Sequence, residues 1–292
     1  MAFKMHADEI EIDESLVARL IAWQCPEWSS LPLNRVNSAG TDHAIFRLGD
    51  ELAVRLPRIL WATDQVDKEF SWLPRLAPHL PLAISEPLAK GQPAKGYPWN
   101  WGVYRWLDGE NPASATILLA TDLAEFVSAL QQIDPTDVPR SNRGGPLADR
   151  DGAVRESLAA LGGEIGTDAA FRAWESALEA PVWDKPPVWI HGDLQSGNLL
   201  AQNGRLNAVI DFGFLGLGDP AVELLPAWNL FSGESRQAYR NALAVDDATW
   251  ERGRGWALSV ALIALPYYRR TNPVLVEASH RTISEILSGG GI

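Results

Sequence analysis

The spacing of apolar residues changes its period near residue 107 of this chain. Before that point, residues 43–48 (H-A-I-F-R-L) and 51–56 (E-L-A-V-R-L) alternate apolar and polar positions, which is typical of an antiparallel hairpin. After it, helical spacing predominates. Strands and helices that are segregated along the chain, and do not alternate as parallel βαβ units, predict an α+β fold. We therefore predict two lobes, a small antiparallel-sheet lobe at 1–107 and a larger helical lobe at 108–292.

Other elements follow from the same periodicities. Asp13 is a candidate N-cap for a helix at 13–25, and a second helix is predicted at about 63–76. Residues 99–107 are predicted to form a strand. The second half is predicted to contain short strands at 188–190 and 206–211 and helices at 114–132, 149–161, 167–180, 221–231, 235–244, 247–268 and 273–287.

Composition excludes several classes of protein. The net charge is −12 and no block of basic residues occurs, so a nucleic-acid partner is not expected. Cys25 is the sole cysteine, which rules out an intrachain disulfide and a cysteine metal cluster. The longest apolar stretch, Trp256 to Tyr268, is shorter than a bilayer span. Because the N-terminus is also polar and acidic, unlike a signal peptide, we expect a cytoplasmic protein with no membrane partner.

Residues 190–213 contain the densest set of candidate functional side chains, in the order I-H-G-D-L-Q-S-G-N-L-L-A-Q-N-G-R-L-N-A-V-I-D-F-G. Asp193 lies on a loop where a carboxylate can reach a bound hydroxyl and accept its proton. Asn198 and Asp211 offer the hard oxygen ligands that Mg²⁺ prefers together with phosphates and water. His191 is expected to order the loop and not to bind metal. This ordered set suits phosphoryl transfer from Mg²⁺-bound ATP.

These motifs also carry a resemblance to a known family. H-G-D-L-Q-S-G-N-L-L and V-I-D-F-G resemble the catalytic and metal-binding motifs of aminoglycoside-phosphotransferase-like kinases, an antibiotic-kinase family with the protein-kinase fold and with macrolide, choline and homoserine kinase relatives. The resemblance implies that Asp193 is the catalytic aspartate and that Asn198 and Asp211 are the Mg²⁺ ligands. In G-D-P-A-V-E-L it implies that Asp219 supports the catalytic loop and that Glu223 opens the next helix.

The N-terminal half resembles the same family more loosely. Arg55, in A-V-R-L, occupies the strand position of the basic residue that contacts the α- and β-phosphates and pairs with a helix glutamate, here Glu69. Lysine is commonest at that position, and arginine can also fork onto phosphate or carboxylate. The other implied contacts with ATP or GTP are the small residues of the nucleotide loop, Ser38, Gly40 and Thr41, and backbone groups of the interlobe hinge at Arg105 and Leu107.

The spacing of residues along the chain argues against three other kinds of enzyme. Residues 216–221 fit G-x-G-x-x-A, but the preceding strand ends at Asp211, too early for the tight first turn of a dinucleotide fold. Ser196 does not complete G-x-S-x-G, because Gly192 is four residues before it. The five histidines are scattered, which argues against a zinc site.

The acceptor stays open at this point. An aminoglycoside or macrolide antibiotic, a metabolic compound such as choline, homoserine or a sugar, and a non-catalytic nucleotide-binding pseudokinase are all compatible with the motifs. The aromatic residues of the C-terminal half are expected either to line an acceptor pocket or to pack in the core: Trp228, Trp250, Trp256, Tyr267 and Tyr268.

Overall fold

A computed structural model describes residues 4–112 and 115–289 as a sheet-rich N-terminal region followed by a mainly helical one. The predicted α+β class is confirmed. The described strands are β1 (Leu33–Arg35), β2 (His43–Leu48), β3 (Leu52–Pro57), β4 (Ala83–Ile84), β5 (Pro87–Gly91), β6 (Trp101–Arg105), β7 (Val188–Ile190), β8 (Leu199–Gln202), β9 (Arg205–Val209) and β10 (Gly216–Gly218). The described helices are α1 (Glu14–Gln24), α2 (Gln65–Leu76), α3 (Ile117–Gln131), α4 (Asp151–Leu161), α5 (Thr167–Leu178), α6 (Pro226–Asn229), α7 (Gly233–Leu243), α8 (Asp247–Tyr268) and α9 (Pro273–Leu287).

The N-terminal sheet is antiparallel, with strand order β1-β2-β3-β6-β5. Its predicted hairpin is confirmed, since β2 and β3 pair with Leu48 opposite Leu52. In this hairpin the side chain of Val54 is fully buried, as the alternation of apolar and polar positions requires. The predicted first helix is also confirmed as α1, and the Asp13 carboxylate accepts a hydrogen bond from the Leu16 backbone N–H at 2.7 Å.

Two small sheets are built mainly from strands of the C-terminal half. Strands β7 and β10 pair antiparallel, whereas β9 lies between β8, which is antiparallel to it, and β4, which is parallel to it. The parallel pairing ties β4 to the C-terminal half. Leu73, Leu76 and Ile84 likewise belong to the larger hydrophobic core, which is otherwise built from residues of the C-terminal half.

The helices of the C-terminal half follow the sequence prediction closely, with one correction. Its other predicted strands and helices lie within a few residues of the observed bounds, and α8 and α9 match the predicted ranges, whereas β8 and β10 were not predicted. The predicted helix at 221–231 is wrong: a short 3₁₀ turn at Pro220–Leu224 precedes the separate helix α6. Pro220 and Pro226 explain the break, because proline lacks a backbone N–H and is accommodated in the first turn of a helix.

None of the helices at 4–112 and 115–289 is both long and apolar enough to cross a membrane.

Most of the aromatic residues considered for an acceptor pocket lie in the hydrophobic core. Trp228, Trp250 and Trp256 are almost completely buried, and the rings of the first two lie 4.7 Å apart. Tyr267 is exposed and Tyr268 half-buried, at the end of α8. The tryptophans therefore belong to the packing of the helical half, while the tyrosines lie at its surface.

Candidate active site

The loop that follows β7 is held by a buried carboxylate. Glu223, which is 1% exposed, accepts hydrogen bonds from the backbone N–H groups of His191 at 3.2 Å and Gly192 at 2.8 Å. Burial raises the pKa of Glu223 to about 7, although both N–H groups favour its charged form. Glu223 is thus the residue that fixes the backbone immediately before Asp193.

Asp219, which was expected to support this loop, has other partners. Its carboxylate binds the guanidinium of Arg252 at 2.7 Å and caps the Ala221 N–H at 2.9 Å, because it lies at the start of the 3₁₀ turn. Its backbone N–H donates to Gly144 O at 2.7 Å. The direct contact with the loop before Asp193 is therefore made by Glu223, while Asp219 meets the segment that carries Arg143 through its backbone N–H. The supporting role that the resemblance implies for Asp219 stays a prediction.

His191 is fully buried and binds the backbone of its own loop. Nε2 lies 3.0 Å from Ile210 O, and Nδ1 accepts from the Asp193 N–H at 3.2 Å. Burial lowers the pKa of His191, so the neutral ring with a proton on Nε2 fits both contacts. The ring links the loop to the residue immediately before Asp211.

Asp193 is surrounded by hydrogen-bond donors. The Nδ2 atom of Asn198 lies 2.8 Å from Asp193 O and 3.2 Å from its Oδ2, and Gln195 donates to Oδ2 at 3.2 Å. The Arg143 guanidinium forms an ion pair with Asp193 Oδ1 and donates to Gly192 O at 2.9 Å. The carboxylate is therefore held in one orientation, with about a fifth of its side chain exposed (19%).

Arg143 is the functional candidate that the sequence analysis missed. It lies in residues 139–146, within a stretch rich in proline and glycine between the predicted helices at 114–132 and 149–161. The guanidinium carbon lies 3.9 Å from the ring centroid of Phe214, a favourable cation–π geometry. The clustering of arginines with glycines in R-S-N-R-G-G was the available signal, although nothing in the sequence shows that this loop meets residue 193.

Glycines allow this arginine loop, residues 139–146, to lie against β10. A Cβ on Gly216 would come within 2.6 Å of the Ser141 backbone nitrogen, and one on Gly218 within 3.0 Å of the Gly144 Cα. Ser141 also donates its backbone N–H to Leu217 O at 3.0 Å. The G-x-G that superficially resembled a dinucleotide motif therefore serves close packing of the loop that carries Arg143.

Arg55 links the N-terminal sheet to both α2 and the segment after β9. Its Nη1 lies 2.8 and 3.0 Å from the two carboxylate oxygens of Glu69, and its Nη2 lies 2.8 Å from Asp211 Oδ1. Glu69 is fully buried and also accepts from Tyr104 Oη at 2.6 Å and from the Phe212 N–H at 3.2 Å. The pairing predicted between Arg55 and Glu69 is present, and Asp211 extends it into a three-residue cluster.

The charged groups of this cluster shift one another's pKa values. Burial opposes the charge of Arg55, but Glu69 and Asp211 together raise its pKa. Burial likewise opposes the charge of Asp211, yet the positive charge of Arg55 holds the pKa of that carboxyl below its usual value. Asp211 also has a left-handed backbone, with φ of 64°, which non-glycine residues adopt mainly where surrounding contacts enforce it.

The predicted nucleotide loop is held from two sides. Ser38 Oγ accepts from the Gly40 N–H at 3.0 Å, and Thr41 Oγ1 donates to Asp42 at 3.1 Å. The Asn272 side chain, at the start of α9, donates to Ala39 O at 2.8 Å. The loop therefore contacts the C-terminal half as well as β2.

The N-terminal segment adds a further contact to that loop. The His6 ring nitrogens lie 3.2 Å from Thr41 O and 2.9 Å from Tyr267 Oη. His6 also packs edge-on against Trp61, with centroids 4.8 Å apart. Tyr267, at the end of α8, is thus linked to the predicted nucleotide loop through His6.

At the predicted hinge, the backbone N–H of Arg105 is used within the sheet. Arg105 donates its backbone N–H to Glu86 O at 2.9 Å, and its guanidinium pairs with the Glu86 carboxylate at 2.5 Å. That N–H is therefore not available to an adenine ring. Leu107 lies just after β6 and is half-buried. The Arg105 carbonyl and the backbone groups of Leu107 stay the predicted contacts at the hinge.

The donor set next to Asp193 fits a magnesium ion. Asn198 uses its side-chain nitrogen on Asp193, which leaves its amide oxygen for a cation, while Asp211 binds Arg55 through one carboxylate oxygen and is 35% exposed. Asn198 O also accepts from the Ile210 N–H at 2.9 Å, which places the two candidate ligands next to each other, one just before β8 and one just after β9. Within the described part of the chain, no three His, Cys, Asp or Glu side chains form a metal site. Two protein oxygens suit Mg²⁺, which takes phosphate oxygens and waters for the rest.

Comparison with known proteins agrees with this geometry. The model of a family described as "Phosphotransferase enzyme family" matches residues 34–256, a range that contains β2, Arg55, the catalytic loop and Asp211. A curated relative is the uncharacterized protein YcbJ of Bacillus subtilis (strain 168), 25% identical over 168 residues. That match takes in 55% of this chain and 53% of YcbJ, so the chain spans about half the length of the curated relative it matches.

Solved structures share the fold over almost the whole chain. The GDP and kanamycin complex of APH(2")-IIia superposes with a TM-score of 0.74 at 20% identity, covering 94% of this chain and 98% of that one. The GDP complex of wild-type aminoglycoside 2'-phosphotransferase-IIIa gives 0.75 at 19%, covering 95% and 99%. The macrolide 2'-phosphotransferase MphH from Brachybacterium faecium gives 0.59 at 22%, covering 93% and 97%. At these identities the comparisons establish the fold.

Proposed function

The chain belongs to the phosphotransferase enzyme family, and we propose that it transfers the γ-phosphoryl group of ATP or GTP to a hydroxyl of a small molecule. The observation that carries this proposal is the connected set of hydrogen bonds from Asp193 through Asn198 to the segment that bears Asp211, and from Asp211 to Arg55. Within it, a carboxylate that can receive a proton adjoins two oxygen ligands and a phosphate-binding guanidinium.

Each residue has a defined part in the proposed reaction. Arg55, oriented by Glu69, binds the α- and β-phosphates, and the small residues Ser38, Gly40 and Thr41 let the backbone of their loop approach the phosphates. Asn198 and Asp211 hold Mg²⁺, which offsets charge on the phosphoryl oxygens when it is bound. Asp193 accepts a hydrogen bond from the acceptor hydroxyl, aligns it with the phosphorus and takes its proton.

Asp193 and Asp211 have different proposed roles, so variants of the two residues test the proposal. Asp193→Ala is expected to keep MgATP binding and to lose acceptor phosphorylation by a factor of about 10²–10⁴, the usual contribution of a positioned general base. Asp211→Asn removes only a charge and is expected to weaken Mg²⁺-dependent nucleotide binding in calorimetric titrations. Asp184→Ala, which removes an exposed carboxylate elsewhere, is the control. Unchanged turnover in Asp193→Ala would remove the basis of the proposal.

The same assay distinguishes a kinase from a pseudokinase, which would bind nucleotide without turnover. Aminoglycosides and macrolides are the first acceptors to try, because solved phosphotransferases of these antibiotics share the fold. Choline, homoserine and sugars extend the panel to metabolic hydroxyl compounds. Release of ADP or GDP that depends on one acceptor supports the kinase, whereas nucleotide binding without turnover on any of them supports the pseudokinase.

A further inference from the structure

The hydrogen bonds to the Asp193 carboxylate leave one place for an acceptor hydroxyl. An ionised carboxylate has two oxygens and about four lone-pair sites. Oδ2 accepts from Gln195 and from Asn198, both at 3.2 Å, which uses the two sites of that oxygen. Oδ1 accepts from Arg143, and no other residue in the described part of the chain donates to it. The second site of Oδ1 is therefore the one that a hydroxyl can occupy.

Arg143 lies on the same carboxylate oxygen and has donors to spare. A guanidinium has five N–H donors, of which two are on Nη1. Those two bond to Asp193 Oδ1 and, at 2.9 Å, to Gly192 O. Nε and Nη2 carry the other three and make no hydrogen bond within residues 4–112 and 115–289, and neither atom is enclosed by protein. The side chain is 17% exposed, so these donors are open to a bound molecule.

The guanidinium is fixed before any ligand binds. Its carbon lies 3.9 Å from the ring centroid of Phe214. The Arg143 backbone N–H donates to Ser141 Oγ at 3.0 Å, and that hydroxyl donates to Phe214 O at 2.5 Å. A charge held in this way stabilises a transition state effectively, because it does not have to reorganise when the reaction occurs.

The proposed transfer brings negative charge to this position. A hydroxyl that donates to Asp193 Oδ1 has its oxygen about 2.7 Å away. That oxygen forms a bond to the γ-phosphorus and its proton passes to Asp193, while the bond from the phosphorus to the bridging oxygen breaks and its electron pair leaves with ADP or GDP. Charge is then spread over the three other oxygens of the phosphoryl group, where a positioned arginine can bind them. Because hydroxyl and guanidinium share one carboxylate oxygen, the phosphoryl group passes beside Nε and Nη2 of Arg143.

We propose that Arg143 is a catalytic residue, which binds the oxygens of the phosphoryl group during its transfer and holds Asp193 at the same time. The inference rests on the proposed function and adds to it a cation that comes from the loop between α3 and α4. Arg55 is committed elsewhere, since its guanidinium bonds to Glu69 and Asp211. Arg143 is also the cation that contacts Asp193 among the described ion pairs.

The test uses MgADP with aluminium fluoride, which mimics the phosphoryl group during transfer. Calorimetric titration of the full-length protein measures the affinity for MgADP with and without aluminium fluoride. Arg143→Gln is compared with the wild type and with Arg140→Gln, which removes an exposed arginine of the same loop. Transition-state analogues bind more tightly than substrates, so the tightening caused by aluminium fluoride reports contacts to the phosphoryl group.

The three proteins are expected to bind MgADP alike. Aluminium fluoride should tighten that binding in the wild type and in Arg140→Gln, and the tightening should be at least tenfold smaller in Arg143→Gln, which corresponds to about 1.4 kcal/mol. Equal tightening in the wild type and Arg143→Gln would overturn the inference, as would a wild type that shows none. If Arg143→Gln does not fold, Arg143→Lys takes its place. A single nitrogen cannot serve Gly192, Asp193 and the phosphoryl group together, so the same loss is expected and wild-type tightening would again overturn the inference.

A second comparison separates contact with the phosphoryl group from mere orientation of Asp193. Asp193→Asn keeps an oxygen that can accept from Arg143 but cannot act as the base. If Arg143 acts only through Asp193, adding Arg143→Gln to Asp193→Asn changes the aluminium fluoride response no further, and the inference is overturned. Direct contact predicts a further loss of at least tenfold in the double variant.

Failure of the proposed function gives a different pattern. A wild type that does not bind MgADP removes the nucleotide site, and the inference falls with it. Normal MgADP binding, together with an aluminium fluoride response that is the same with and without Arg143, removes the inference alone and leaves the proposed function intact.

Discussion

Arg55→Met should lower both the stability of the protein and its affinity for nucleotide. Arg55 is the only cation among the described side chains that bonds to Glu69, which is fully buried and accepts two of its hydrogen bonds from Arg55. Removing one partner of a buried ion pair leaves a buried charge without compensation and costs about 3–5 kcal/mol of unfolding free energy. Glu69 keeps its bonds from Tyr104 and the Phe212 N–H, so we expect a loss near the lower end of that range, about 3 kcal/mol.

A second substitution isolates the electrostatic part of this loss. Glu69→Gln removes the charge and keeps one oxygen, which can accept from the Phe212 N–H, while its amide nitrogen can donate to Tyr104 Oη, a hydroxyl that can turn to accept. Added to Arg55→Met, it should recover about 1–3 kcal/mol, the usual coupling between groups in direct contact, because no unpaired charge is left in the core. Nucleotide affinity should not recover. Loss of the phosphate contact of Arg55 costs about 1.5–3 kcal/mol, or about 10- to 100-fold in the Kd for MgADP.

The measurements are urea unfolding for stability and calorimetric titration with MgADP for affinity. Arg105→Met is the matched control, since Arg105 lies on the same sheet and its pair with Glu86 is half-exposed on both sides (47% and 53%). Exposed pairs contribute about 0–1 kcal/mol, so this variant should unfold almost as the wild type does. A double variant no more stable than Arg55→Met would refute the buried-charge argument. Wild-type MgADP affinity in Arg55→Met would refute the phosphate role.

Two further predictions concern the loops around Asp193. Because burial raises the pKa of Glu223 to about 7 from an ordinary value of 4.5, its contribution to stability is present at low pH and lost as the pH rises through about 7. Glu223→Gln cannot titrate and should flatten that fall in urea titrations between about pH 4.5 and pH 7; an unchanged pH profile would contradict the assignment. Gly216→Ala places a Cβ 2.6 Å from the Ser141 backbone nitrogen and should lower kcat by displacing the arginine loop, whereas Gly152→Ala, which meets no atom within 4 Å, should leave kcat unchanged. Equal kcat in the two alanine variants would show that the close packing at Gly216 is not needed.

Most regular elements could be predicted because they depend on local pattern. The alternation in β2 and β3 and the helical spacing in α8 and α9 each bury one face, and the structure has them where the sequence places them. The predicted helix at 221–231 was wrong because apolar spacing continues through Pro226, although a proline ends one helix and starts another there.

The site could be predicted only as far as its motifs extend. Asp193, Asn198 and Asp211 lie in one contiguous stretch of sequence, and the pairing of Arg55 with Glu69 depends on two neighbouring elements. Arg143, in contrast, reaches Asp193 across fifty residues, through a loop whose position depends on its fit against β10. Nothing in local periodicity encodes a contact of that kind, since it arises from tertiary packing.

The charges of the candidate site differ from what the composition suggests. A chain with a net charge of −12 would be expected to attract cations. Around Arg55, two carboxylates share a single guanidinium, and this excess of negative charge suits Mg²⁺. Asp193, in contrast, is already matched by the guanidinium of Arg143. Binding depends on the few charges within a Debye length of the bound group, about 8 Å at physiological ionic strength, and not on the total. The acidity of the whole protein therefore does not predict a cationic partner at Asp193.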